Sequence, residues 1–140
     1  MNRERLIRTF QELVSIDSPS FGERAMADEL TRRLKELGFA VSEDGAGTYY
    51  GGTAGNLYAY REGSLPGEPL LFSTHMDTVE PSRGKRAVLH EDGRITSEGK
   101  TVLGADCMAG TAAVLEALTE LKEEQADCRS LELLFFIGEE

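Results

Sequence analysis

The chain is short of the residues that would mark it as secreted, membrane-bound or nucleic-acid-binding. Cysteine occurs only twice, at Cys107 and Cys128, and the two form no Cys-x-x-Cys pair. Two thiols fit a reducing compartment better than a disulfide framework, with a single bridge as the most they could make. No stretch approaches the roughly 20 consecutive apolar residues that span a bilayer. Met1-Asn2-Arg3-Glu4-Arg5 opens a charged amphipathic pattern and not an apolar signal segment. The expectation is a cytoplasmic protein without a membrane partner. Basic residues are in deficit: 15 Lys and Arg against 25 Asp and Glu leave a net charge of -10. A field of that sign repels polyanions, which argues against nucleic acid as a partner. Bias towards Pro, Gln or Ser is also missing, and 40% hydrophobic residues in 140 suffice for one globular domain.

Phosphate-cradling loops are absent as well. The glycine run Asp44 to Gly52 completes no Gly-x-Gly-x-x-Gly ahead of a helix and reads as a flexible connector. Gly99-Lys100-Thr101 resembles the end of a P-loop, but Arg94 stands where the first glycine belongs. A nucleotide- or flavin-binding domain is therefore disfavoured.

What the chain does contain is an alternation of helical and strand patterns. Leu6, Ile7, Phe10, Leu13 and Val14 recur at three- and four-residue spacing, which predicts a surface helix from Asn2 to Ile16. After Ser18-Pro19-Ser20, the pair Ser20 and Glu23 has capping-box spacing ahead of a second helix, with Ala27, Leu30, Leu34 and Leu37 on one face and Gly38 as the stop. Short strands are predicted at Phe39 to Ser42 and Asn56 to Tyr60, and a hairpin at Arg86 to Ser97 around Asp92-Gly93. His90, beside that turn, reads as exposed and not as a ligand. Pro69 to Thr74 and Leu131 to Ile137 read as buried apolar strands, and the residues from Ala112 to Leu121 as a helix.

Three stretches carry chemistry. The first strand runs out into His75 and Asp77, which point the same way if the backbone stays extended. A carboxylate beside an imidazole can fix its tautomer and raise its basicity as a metal ligand. Asp106 lies in the glycine-flanked loop Leu103 to Gly110 at a helix start, where helix capping is the plain structural alternative. Gly138-Glu139-Glu140 follows the last strand, and adjacent residues there could take two roles at one site or form a solvated turn. In an open α/β sheet, ligands gather at the carboxyl ends of the strands, so one site could hold all of these groups. Two divalent cations ~3.5–4 Å apart would suit such imidazole and carboxylate donors.

Thr74-His75-Met76-Asp77-Thr78-Val79, Leu103-Gly104-Ala105-Asp106 with Ala109-Gly110, and Gly138-Glu139-Glu140 together resemble the co-catalytic zinc metallopeptidase family of aminoacylase, carboxypeptidase G and peptidase T. The style around the motifs is most similar to the peptidase T branch. The resemblance implies a three-layer α/β/α fold with a twisted, mostly parallel central sheet, here incomplete. It implies that residues 1–140 are the N-terminal portion of the catalytic domain, without the inserted dimerisation domain and the C-terminal catalytic half. It further implies that His75 ligates one zinc, Asp77 orients His75, Asp106 bridges two zinc ions, Glu140 ligates the second, and Glu139 is the general base. Cobalt or manganese are alternative metals. The implied activity is hydrolysis of amide bonds in small peptides, through a shared water whose pKa the metals lower. An N-acyl amino acid amidohydrolase and a catalytically silent interaction module on the same scaffold are the alternatives.

Two departures from the family pattern bear on activity. Cys107-Met108 stands where relatives of the peptidase T type carry Asp-Lys after the bridging aspartate. The further carboxylate and histidine ligands that the family supplies after Glu-Glu are not among these residues. The expectation is that the parent protein is a dinuclear hydrolase, and that the 140-residue chain binds metal weakly and is inactive. An exposed edge or apolar patch at the final strand, and self-association through it, is the remaining expectation.

Overall fold

The computed structural model describes residues 1–140. Its elements are α1 (Arg3–Val14), α2 (Arg24–Glu36), β1 (Ala40–Glu43), α3 (Ala46–Tyr50), β2 (Leu57–Arg61), β3 (Leu70–His75), β4 (Ala87–Leu89), β5 (Ile95–Ser97), α4 (Ala105–Glu123) and β6 (Leu131–Phe136). The fold is α/β, with a central sheet in the order β1-β2-β6-β3 and a separate β4-β5 hairpin. The sheet is mixed. β1 is antiparallel to β2 and β2 is antiparallel to β6, whereas the crossover through α4 lays β6 parallel to β3. That parallel pair, with His75 opposite Phe136, sends the carboxyl ends of both strands to the same edge of the molecule.

Register explains where the core lies. Leu57, Ala59, Leu131, Leu133 and Phe135 fall on one face of the sheet and are buried. Phe10, Leu13 and Val14 of α1, Met26, Leu30 and Leu34 of α2, and Met108, Ala112, Leu115 and Leu118 of α4 join them in one cluster. Thr111 of α4 donates a hydrogen bond to Thr74 of β3 at 3.1 Å on that same face. The opposite face presents Tyr58, Leu71 and Phe136 to solvent, so the chain builds one of the two helix layers of the expected three-layer arrangement.

Asn2 caps α1 by accepting from the Arg5 amide. Arg5 then ties α1 to α4 through the buried carboxylate of Glu116, at 2.6 and 3.0 Å. The hairpin forms as expected, with Gly93 at φ +84° in its turn, and His90 is exposed and bonded to Thr96.

Four local expectations are overturned. Leu70, Leu71 and Phe72 are 39–54% exposed and not buried, because β3 is an edge strand and one sheet face is open. For the same reason the exposed edge belongs to β3 and not to β6, which lies between β2 and β3. The connector from Asp44 to Gly52 contains the short helix α3. Asp44 accepts from the Ala46 and Asn56 amides, and Gly47 sits so close to Ala54 that a Cβ would lie 2.0 Å from its carbonyl oxygen. Finally, the capping box at α2 does not form: Glu23 occupies the cap position without a side-chain cap bond. Both side chains instead find distant partners at the ends of β3 and β6: Ser20 donates its hydroxyl to Asp77, and Glu23 accepts the Gly138 amide.

Candidate functional site

His75 ends β3 and is 7% exposed. Its Nδ1 lies 3.1 Å from the Asp77 carbonyl oxygen and 3.4 Å from Asp77 Oδ1, and its Nε2 lies 3.0 Å from Asp106 Oδ1. Glu139 Oε2 is 3.9 Å from the same Nε2. Acceptor oxygens therefore stand at both ring nitrogens, with Nδ1 facing Asp77 and Nε2 facing the carboxylates of Asp106 and Glu139. Burial works against the charged imidazole, but Asp106 and Asp77, with Glu139, outweigh it, and the His75 pKa is raised above its ordinary value.

Asp77 is fully buried and saturated with donors. Ser20 donates its hydroxyl to Oδ2 at 2.7 Å, while the Glu139 and Glu140 amides donate to Oδ1 and Oδ2 at 3.1 Å each. Burial pushes the carboxyl pKa up, yet the Ser20 hydroxyl and these two amides more than offset it, leaving the value below the usual carboxylate range. The carboxylate is thus held in its ionised form beside the imidazole.

Asp106 does not act as a helix cap. Its backbone is non-helical at φ -85°, ψ 112°, and its side chain is 86% exposed, pointing to His75. The preceding Gly104 adopts φ +74° and lies over Lys85, whose aliphatic chain would be 3.0 Å from any Cβ at that position. Lys85 itself is buried and donates to the Ile16 carbonyl at 2.7 Å, so it underpins the turn and offers no charge to the site.

All five residues singled out in the sequence lie at this one end of the sheet. Their potential ligand atoms fall into two groups, each within 4.8 Å: His75 with Asp106 and Cys107, and His75 with Glu139 and Glu140. Asp106 and Glu140 fall in different groups, with His75 common to both. No lysine or arginine pairs with Asp106, Glu139 or Glu140, so His75 is the one basic group among three carboxylates. A divalent cation suits that set: one imidazole nitrogen, several carboxylate oxygens and uncompensated negative charge. Ser20 and Glu23 were missed as parts of this region. Their three-residue spacing is also that of a capping box, and nothing local in the sequence separates the two uses.

A family model described as Peptidase family M20/M25/M40 matches residues 71–140. Over its whole length the chain is 39% identical to the uncharacterized protein YqjE of Bacillus subtilis, and it spans 38% of that relative. Two solved structures are similar throughout. A tripeptidase of Staphylococcus aureus superposes with a TM-score of 0.96 at 37% identity, over 99% of this chain and 37% of its own. Aminopeptidase PepT of Bacillus cereus superposes with a TM-score of 0.94 at 38% identity, again over 99% of this chain and 37% of its own. Aminoacylhistidine dipeptidase of Vibrio alginolyticus is more distant, with a TM-score of 0.74 at 25% identity over 29% of its own chain.

Proposed function

Since the chain belongs to peptidase family M20/M25/M40, we propose that its protein is a metal-dependent hydrolase of amide bonds in small peptides, of the dipeptidase, tripeptidase or aminopeptidase type. The observation that carries this reading is the convergence of His75 Nε2 with the carboxylates of Asp106, Glu139 and Glu140 in the absence of any lysine or arginine partner. The similar tripeptidase and aminopeptidase support the substrate class.

His75 and Asp106 would hold one zinc ion and Glu140 would contribute to a second, Asp106 being the residue expected to serve both although it groups with His75 and not with Glu140. Zinc bound there would act as a Lewis acid, lowering the pKa of water and polarising the amide carbonyl. Asp77 holds the His75 ring by its Nδ1 side and leaves Nε2 free to donate its lone pair. Glu139, more than half exposed at the same edge, accepts the proton of the attacking water and returns it to the leaving amine. These donors are fewer than the three or four protein ligands that zinc generally takes. We therefore assign residues 1–140 to the N-terminal portion of a catalytic domain, with further ligands and the inserted domain contributed by additional residues. The open edge of β3, with Leu70, Leu71 and Phe72 exposed, supports self-association of this chain.

Calorimetric zinc titration and a tripeptide cleavage assay test the reading on two samples, the 140-residue chain and a chain extended to the length of its relatives. Weak binding without turnover in the first and zinc-dependent cleavage in the second are expected. Sub-micromolar zinc binding with turnover by the short chain would overturn the division of the domain, and a zinc-loaded extended chain that cleaves no peptide would overturn the peptidase assignment.

A further inference from the structure

Ladder pairing stops at Phe136, whose carbonyl accepts from the Met76 amide at 2.8 Å. The four residues beyond it have no strand partner, yet every one of their amides is received by a side chain. Ile137 donates to Asn56 Oδ1 at 3.0 Å, Gly138 to Glu23 Oε1 at 3.0 Å, and Glu139 and Glu140 to the two oxygens of Asp77 at 3.1 Å. The backbone that carries Glu139 and Glu140 is thus aimed by side chains from three separate segments.

Glu23, like Asn56, has no part in the chemistry proposed above, and it is the buried carboxylate of the two. It is fully buried, 115 positions from Gly138 in sequence, and it makes none of the cap bonds its place at the start of α2 would allow. Its Oε1 accepts a second amide, from Phe21 at 2.8 Å, and its Oε2 is buried without a partner. A buried carboxylate is costly to keep unless its position matters. Phe21, at φ +63°, is held in the left-handed region that a non-glycine residue rarely enters. Its ring lies against Gly138, where an added Cβ would stand 2.7 Å from Cε1. The Phe21 to Glu23 loop therefore grips Gly138 from two sides, by hydrogen bond and by packing.

We propose that Glu23 is a positioning residue, which fixes the Gly138 amide and so sets the direction in which Glu139 and Glu140 leave the end of β6. The catalytic consequence rests on the peptidase reading; the clamp itself does not. Removing the acceptor leaves the Gly138 amide without its partner, so the turn between the end of β6 and the Glu139 and Glu140 amides held by Asp77 is less fixed, and the geometry between Glu139 and His75 loosens. Supporting groups of this kind typically change activity by about 10–100-fold.

The test compares Glu23→Ala, Glu23→Gln and a core control on the same helix, Leu30→Ala. Amide exchange at Gly138 is followed by NMR in the 140-residue chain, and kcat and KM for a tripeptide in the extended chain. Glu23→Ala is expected to accelerate exchange at Gly138 at least about tenfold and to lower kcat about 10–100-fold, with KM changed less than about threefold. Glu23→Gln keeps an acceptor oxygen and restores Gly138 protection and most of kcat, whereas Leu30→Ala lowers the melting temperature without the kcat loss. Unchanged protection of Gly138, unchanged kcat, or equal kcat losses in all three variants would overturn the proposal. If Glu23→Ala does not fold, Glu23→Asp replaces it: the charge stays but the carboxylate is withdrawn by one methylene. Retained Gly138 protection there would overturn the clamp. A wild-type protein that cleaves no peptide sinks the peptidase reading and the catalytic consequence together, while the exchange data still decide whether Glu23 holds the turn.

Discussion

β3 and β6 run side by side through six paired residues, and the two regions they link are built on opposite terms. In the body of the sheet the buried groups are apolar: Leu57, Ala59, Leu131, Leu133 and Phe135, packed under three helices. At the carboxyl edge, around the apolar Met76, the buried groups are Ser18, Glu23, His75, Asp77 and Thr78. Apolar burial contributes stability in proportion to area and tolerates repacking, whereas each buried polar group is an asset only if its partners are in place. The body therefore sets whether the chain folds, and the edge sets where a few oxygen and nitrogen atoms stand. Variants in the two regions should differ in kind as well as in size.

The largest effect is expected at the edge. Glu139 makes no side-chain hydrogen bond below 3.5 Å and is well exposed, so Glu139→Gln removes a base without disturbing the packing. A loss of about 10²–10⁴-fold in kcat follows for a general base, with the melting temperature and zinc affinity little changed. Kinetics on the zinc-loaded extended chain check this, and retention of more than a tenth of the activity would remove Glu139 from the mechanism. Its counterpart in the body is Leu133→Ala, at a residue 1% exposed in the middle of β6. There the expected loss is about 2–5 kcal/mol of folding stability, read by denaturant unfolding, with zinc affinity per folded molecule unchanged.

Asp77→Asn lies between the two regions in character. Three donors converge on that carboxylate, the Ser20 hydroxyl and the Glu139 and Glu140 amides, and His75 Nδ1 lies 3.4 Å from its Oδ1. An amide turns an NH2 towards donors and leaves at least one unsatisfied, so zinc affinity should fall about 10–100-fold by calorimetry. The metal-free chain also gains two opposite pH signatures from this edge. The Asp77 pKa is depressed on folding, so its contribution to stability is present above the unfolded carboxyl value and is lost as pH falls through the folded one. The His75 pKa is raised, so its contribution is complete below 6.5 and is lost as pH rises through the folded value. In Asp77→Asn the acid-side loss should disappear and the His75 contribution above pH 6.5 should shrink, as thermal melts across pH would record.

The same contrast explains what could be read from the sequence. Apolar spacing in α1 and α2, alternation in β2 and the apolar run of β6 report burial, which is local, so α1, β2 and β6 were legible within a residue or two, while α2 starts three residues later than a cap at Ser20 implies. His75, Asp77, Asp106, Glu139 and Glu140 were legible as a set because each stands at an element boundary with small residues around it. The exposure of Leu70, Leu71 and Phe72 was not, since an apolar run is the same in a central strand and in an edge strand beside an open face. Nor were Ser20 and Glu23. Their bonds reach Asp77 and Gly138 across 57 and 115 positions, and only the folded chain reveals that those partners replace the helix amides. The α3 turn escaped because Gly47 is needed for a close approach to Ala54, which a composition of glycines cannot distinguish from flexibility.

The smallest expected effect tests the surface of the helix layer, far from both regions. Glu29 of α2 accepts from Arg32 at 2.7 Å and from Arg33 at 2.6 Å. The Arg32 bond does most to depress its carboxyl pKa, burial opposes it and Arg33 assists, taking the value from 4.5 to about 2. Because the folded value is the lower one, the stabilisation is complete above the unfolded value and is lost progressively as pH falls from 4.5 towards about 2. Arg32 is 53% exposed, so solvent screening holds the contribution of each pair to roughly 0.2–1 kcal/mol. Glu29→Gln should therefore cost no more than that at neutral pH, flatten the unfolding free energy over that acid window, and lose its effect in high salt. A variant that left the acid limb of the stability curve unchanged would show that the arginine pairs are surface decoration, whereas one that altered zinc affinity would contradict the separation of the helix layer from the carboxyl edge.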